Sequence, residues 1–193
     1  MEGKQMAATT DDRKTCAWDQ DPAAIRWTRA KLEEALAMNG GPEGLELAGA
    51  DLSGQNLSGM DLHGIILSCW EDPLHRRCAN LEGAHLKGAD LRGAQLGGVD
   101  LHKALLRGAN LCRAKLEQAN LEGAVLEEAD LREACLNKAN LIDARLRTAL
   151  LRKADLRNAK LQGAILSEAD LRGCQLEGAD LREAELQLSL IHI

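Results

Sequence analysis

Ala79-Asn80-Leu81-Glu82-Gly83, Ala84-His85-Leu86-Lys87-Gly88 and Ala89-Asp90-Leu91-Arg92-Gly93 open a run in which leucine returns at every fifth position as far as Leu186. A shorter run in the same pattern covers Leu47, Leu52, Leu57, Leu62 and Leu67, which brings the count to twenty-seven units. A helix cannot gather these leucines on one stripe, because five residues advance about 500°, or roughly 140° past a full turn. A flat strand cannot either, since an odd spacing sends successive side chains to opposite faces. The geometry that serves is a chain that runs briefly extended, turns a corner after every unit and stacks coil upon coil, with Leu81, Leu86, Leu91, Leu96, Leu101, Leu121, Leu141 and Leu161 all pointing inward.

The remaining positions agree. From Ala79 onward the residue two before each leucine is Ala in twenty of twenty-two units, the exceptions being Val99 and Cys174. Two residues apart in extended chain means the same side, so a small and a large side chain share a narrow core. The residue just before the leucine is often Asp or Asn and points out. Gly closes thirteen of the twenty-seven units, where a corner demands unusual backbone angles.

A-(D/N)-L-x-x in tandem resembles the signature of the pentapeptide-repeat family, over roughly Leu45 to Leu188. The resemblance implies an all-β solenoid, a right-handed quadrilateral parallel β-helix with four units per coil. Units twenty residues apart then stack in columns, and six to seven coils at about 4.8 Å each give a rod on the order of 30 Å long. Some members of the family resemble a DNA duplex in size and charge, bind DNA gyrase and protect it from quinolones. This chain shares the rod and the acidic balance. It departs in having no Phe, in nearly balanced charges (twenty-two acidic against eighteen basic between Leu45 and Leu188) and in showing no C-terminal dimerisation segment.

Outside the repeat, residues 1–20 are polar and are expected to be disordered, without an apolar run for a signal peptide or membrane span. A cytoplasmic protein that contacts no membrane is the expectation. Asp21 and Pro22 read as the start of a capping α-helix, in a segment spanning 21–41 with its helical part from Ala23 to Met38. Ile25, Trp27 or Thr28, Leu32, Ala35 and Leu36 lie on one side, and Asn39-Gly40-Gly41-Pro42 form the stop. Its task is to cover the open end of the first coil; a partner-binding helix is the rival reading.

The first repeats, 45–69, and the main solenoid, 79–187, are separated by an interrupting loop at 70–78. Leu67 to Leu81 measures fourteen residues where the period would give fifteen, so the expectation is a missing leucine, with Leu74 or Trp70 filling the core in its place. Trp70, Leu74, Arg76 and Arg77 are candidate partner contacts on this loop. The tail 188–193 breaks the pattern and looks like the translation of a sequencing adapter, which makes a truncated module of a larger protein an open alternative.

Stacking by twenties yields two further candidate surfaces. Arg92, Arg132, Arg152 and Arg172 form a row able to meet phosphates, but an Asp two residues before all but Arg152 neutralises it, so no direct nucleic-acid contact is expected. Leu105, Val125 and Ile165 share an outward column with His85, Arg145 and Glu185. That column is either a contact stripe for a protein partner or a second copy of the chain, or a wall on which single apolar residues are tolerated.

The cysteines Cys16, Cys69, Cys78, Cys112, Cys135 and Cys174 fall in no pairing framework and read as reduced thiols. Cys69 and Cys78 with His63 and His75 match no metal-binding spacing, and no nucleophile–base constellation or phosphate loop appears. The expectation is a non-enzymatic scaffold that takes no cofactor and no metal and binds another protein through its outer faces.

Overall fold

The computed structural model describes residues 26–71 and 76–191. Within them the chain winds into coils of twenty residues, each touching the next through four parallel backbone bridges, one per side. The first side carries Glu46, Ile66, Gln95, Lys115, Cys135, Asp155 and Gln175, which gives seven coils. The second side includes Asp100, Asn120 and Asn140, the third Leu105, Val125 and Arg145, the fourth Asn110, Asp130 and Leu150.

The backbone of each unit is used in both directions along the stack. His85 donates its N–H to the Gln55 carbonyl below (2.9 Å) and accepts from Leu57 N–H (2.7 Å), while Leu86 N–H donates to the Leu105 carbonyl above (2.8 Å). Leucine and alanine fill the interior: from Ala79 through Leu171 the side chains in these slots, with Val99 in one of them, are at most 2% exposed. Each corner turns through a left-handed residue. Where glycine is lacking, an ordinary residue adopts the same conformation, as at Lys103, Arg113 and Thr148 with φ of 54°, 60° and 57°. The Asp or Asn before each leucine supports the corner. Asp90 Oδ1 accepts from Arg92 N–H (3.2 Å), and Asn80 Oδ1 accepts from Glu82 N–H (2.9 Å).

Helix α1 spans Arg29–Asn39. Asp21 and Pro22, expected to start it, lie outside the described residues. The observed cap is Thr28, extended at φ −103° and accepting from Lys31 N–H, because Arg26 and Trp27 are already committed to the stack. Arg26 bridges Asp51, and Trp27 N–H donates to the Asp51 carbonyl (2.8 Å). Gly40 ends the helix at φ 77°. Trp27, Leu32 and Ala35 are buried against the first coil, and Arg29 donates to the Asn56 and Ser58 carbonyls (3.2 and 3.3 Å). The segment thereby covers apolar surface and occupies backbone acceptors that a bare first coil would leave unpaired.

The interruption is a nine-residue insertion between adjacent units, and no leucine is missing. Asp51 bridges Asn80 and Ile66 bridges Gln95, each twenty-nine residues on instead of twenty. Leu67 and Leu81 are therefore neighbours around one coil, and neither Trp70 nor Leu74 is needed as a substitute. The insertion leaves the corner as a two-stranded antiparallel ribbon, β1 (Trp70–Glu71) with β2 (Arg76–Arg77), pairing Trp70 with Arg77 and Glu71 with Arg76. Leu74 lies outside the described residues. Cys69 and Cys78, expected as reduced thiols, form a disulfide at its base. The ribbon brings together two residues whose spacing in sequence announced no pairing. Cys112, Cys135 and Cys174 are free, Cys174 buried in an alanine slot with its thiol pushed up to about 11 by burial. Cys16 lies outside the described residues. At the other end Leu190 bridges Asp170, and Ile191 packs against the core.

Candidate interaction surface

The fourth side carries the arginine row, and each arginine is engaged. Arg92 holds Asp90 through Nε and a terminal nitrogen (2.8 and 2.5 Å); Arg132 holds Asp130 (2.8 and 2.6 Å) and Arg172 holds Asp170 (2.8 and 2.6 Å). Arg152, which lacks an Asp of its own, reaches Asp170 from the neighbouring coil at 3.8 Å. Asp180 on the second side, paired with Arg182, is lowered to about 2, and on the fourth side hydrogen bonds from these guanidinium groups hold the Asp90, Asp130 and Asp170 carboxyls below their usual range. This side is a neutralised ladder.

On the second side the outward amides bond to one another along the rod: Asn120 donates to Asp100 (3.0 Å), and Asn140 donates to Asn120 (3.1 Å) and Glu122 (3.0 Å). Those polar groups are satisfied within the chain.

The third side carries a run of apolar residues: Leu105 is 38% exposed, and Val125 and Ile165 follow in its column, interrupted by Arg145, whereas on the fourth side Leu150 and Leu190, 40% and 49% exposed, stand singly among charged residues. Corner charges pair across coils: Arg107 with Glu128 (2.5 Å), Arg147 with Glu168 (2.8 Å), and Arg145 with Glu127 (2.5 Å). An open groove of about 430 Å³ runs along the later coils, bordered by Glu127, Arg145, Ile165, Ser167 and Glu185. A second, of about 420 Å³, adjoins it beside Arg107 and Thr148.

The structure thus brings Leu105, Val125 and Ile165 together on one wall and Arg92, Arg132, Arg152 and Arg172 together on another. Trp70, Arg76 and Arg77 sit on the ribbon at the corner between the first and second sides. The pairs between corner residues of adjacent coils were missed from the sequence. Their signal is an acidic residue eighteen to twenty-one positions after or before an arginine, legible once the twenty-residue coil is drawn. Among the described residues no group of three His, Cys, Asp or Glu is placed to hold a metal ion, and no helix is long and apolar enough to cross a membrane.

A twenty-residue coil with an alanine–leucine interior and four columned walls defines a repeat solenoid. A family model for pentapeptide repeats matches eight copies over residues 77–111, 109–147 and 149–187, and the chain belongs to that family. A search of the curated proteins finds no match. Among solved structures the chain is similar to HetL, a pentapeptide repeat protein involved in heterocyst differentiation regulation from the cyanobacterium Nostoc sp. strain PCC 7120, at 28% identity over 86% of this chain and 98% of that one, with a TM-score of 0.24. It is also similar to Rfr23 from the cyanobacterium Cyanothece 51142, at 29% identity over 76% and 91% of the two chains, with a TM-score of 0.28. QnrB1, a plasmid-mediated fluoroquinolone resistance protein, matches at 20% identity over 77% and 83%, with a TM-score of 0.40.

Proposed function

We propose that the chain is a non-enzymatic binding rod, a right-handed quadrilateral β-helix whose third wall holds another protein. One observation carries this reading: among the described residues Leu105, Val125 and Ile165 stack on a wall that also bears two open grooves, whereas the second and fourth walls carry ladders of polar side chains bonded along the rod. A partner laid along the third wall covers apolar surface at roughly 25 cal/mol per Å² and finds the paired arginines and glutamates at its rim. Arg92, Arg132, Arg152 and Arg172 add little to such contact, being already neutralised. Trp70, Arg76 and Arg77 of the ribbon are proposed as an accessory contact, together with Leu74, which lies outside the described residues.

The test is retention of a partner protein by the immobilised chain. Leu105→Glu and Ile165→Glu are expected to lose it, while Arg92→Glu keeps it; retention unaffected by either third-wall change overturns the assignment.

Binding to DNA gyrase, which the family resemblance implied, asks for a wall of bare carboxylates. Asp90, Asp130 and Asp170 each hold an arginine instead, so the scaffold reading comes first. A supercoiling assay with and without a fluoroquinolone decides between them: no effect of micromolar protein leaves the scaffold, and protection of the enzyme restores the gyrase reading.

A further inference from the structure

The third wall is complementary to itself. Its bridge column runs Asn56, His85, Leu105, Val125, Arg145, Ile165, Glu185, one residue per coil, and the six from His85 onward form the self-matching stretch. Consider a second rod laid face to face and end for end, related by a twofold axis that lies in the interface midway between the Val125 and Arg145 coils. His85 then opposes Glu185 of the other copy, Leu105 opposes Ile165, and Val125 opposes Arg145. The adjoining corner column follows the same rule, with Glu127 opposite Arg147 and Arg107 opposite Ser167. No like charges meet. Laid in the same direction instead, the two rods would set Arg145 against Arg145 and Glu185 against Glu185, so the charges select the antiparallel arrangement.

Shape agrees with charge. Leu105 is partly exposed on its coil, and three coils further on Ile165 borders the groove of about 430 Å³. In the antiparallel arrangement each Leu105 enters the other copy's groove. The wall from His85 to Glu185 covers five coil spacings, about 24 Å at 4.8 Å each. With a width of roughly three to four extended residues, it buries a few hundred Å² per copy, less than the roughly 800 Å² per partner of a standard stable interface.

We propose that the third wall takes a second copy of this chain, docked antiparallel, as a concentration-dependent dimer of micromolar or weaker affinity. The proposal rests on reading that wall as a protein contact, and an isologous interface is the commonest way such a surface closes.

The test is a register-specific cross-link. In a background with Cys16, Cys112 and Cys135 replaced by Ser, a Leu105→Cys chain is mixed with a mass-tagged Ile165→Cys chain and oxidised. A mixed 105–165 disulfide is expected, with little self-pairing of either chain alone, because the two copies' residues 105 lie about three coils apart, roughly 14 Å. Dominant 105–105 pairing, or no preference, overturns the proposal.

Sedimentation of the unmodified chain supplies the second readout. Dimer is expected at tens to hundreds of micromolar, weakened at least tenfold by Ile165→Glu and unchanged by Glu177→Lys, with circular dichroism confirming that both variants fold. A monomer up to about 1 mM removes the second copy and leaves the protein-contact reading standing, which falls only if third-wall variants retain the heterologous partner.

Discussion

Thr148 sits at a corner with φ 57°, a left-handed conformation that a β-branched residue adopts at a cost of about 1–2 kcal/mol. Its hydroxyl donates to the Arg147 carbonyl at 2.6 Å, which offsets part of that strain. Thr148→Gly is expected to stabilise the rod by about 1 kcal/mol, read as a higher melting temperature; an unchanged or lower value would show that the corner carries no strain. The converse holds at Gly163. There the backbone is left-handed at φ 66°, a conformation any Cβ strains, and the Asp143 carboxylate must also swing aside, so Gly163→Ala is expected to lower the melting temperature. The five-residue period already located these corners, with glycine at thirteen of them. That the other corners force ordinary residues into the same conformation was not legible, because backbone angle leaves no mark on residue type once neighbouring coils impose it.

Among the elements, the helix and the ribbon show where the reading of the chain ran out. Gly40 was a sound stop signal, since only a left-handed residue closes α1 there. The start was placed early because Asp21-Pro22 has the chemistry of a cap, whereas Arg26 and Trp27 are held extended by Asp51 on the first coil, a tertiary contact that local propensity does not contain. The fourteen residues from Leu67 to Leu81 suggest a shortened fifteen-residue interval. Bridges twenty-nine residues apart make it one unit plus nine, and the disulfide at its base follows from the antiparallel pairing of Trp70 with Arg77. Treatment with a dithiol reductant is expected to free two thiols, mapped by alkylation to Cys69 and Cys78, with little change in the melting of the solenoid. The clasp closes a loop outside the core, so a large fall in melting temperature on reduction would contradict that separation. The outward columns were recovered more fully: Leu105, Val125 and Ile165 share a wall as the twenty-residue coil requires.

The whole rod is acidic overall, with a formal net charge of −6, yet its stability at neutral pH gains from carboxylates that are ionised and held by arginine. Asp90, Asp130, Asp155 and Asp170 are lowered mainly by hydrogen bonds from Arg92, Arg132, Arg157 and Arg172, and Asp180 by Arg182 to about 2. Each is depressed in the folded state, so its contribution is complete above the ordinary Asp value of about 4 and is lost as the pH falls through the folded value. The melting temperature is therefore expected to drop between about pH 4 and pH 2, and less steeply in high salt, which screens these exposed pairs. A flat profile over that window would mean the ladders contribute nothing to stability. Because each coil contacts only its neighbours, stability is a sum over stacked interfaces, to which the fully buried leucines contribute more than the partly buried Leu176, Leu181 and Leu186.

Leu105 and Leu106 are adjacent in the chain and opposite in fate: the first is 38% exposed on the third wall, the second fully buried in the core. Thermal unfolding of Leu105→Asp and Leu106→Asp, compared at a concentration where the chain is monomeric, is the most direct measurement of the inward column. Leu106→Asp buries a charge and is expected to cost several kcal/mol, against less than about 1 kcal/mol for Leu105→Asp. Equal losses for the two variants would contradict the division between an interior that holds the rod together and a wall that is free to bind.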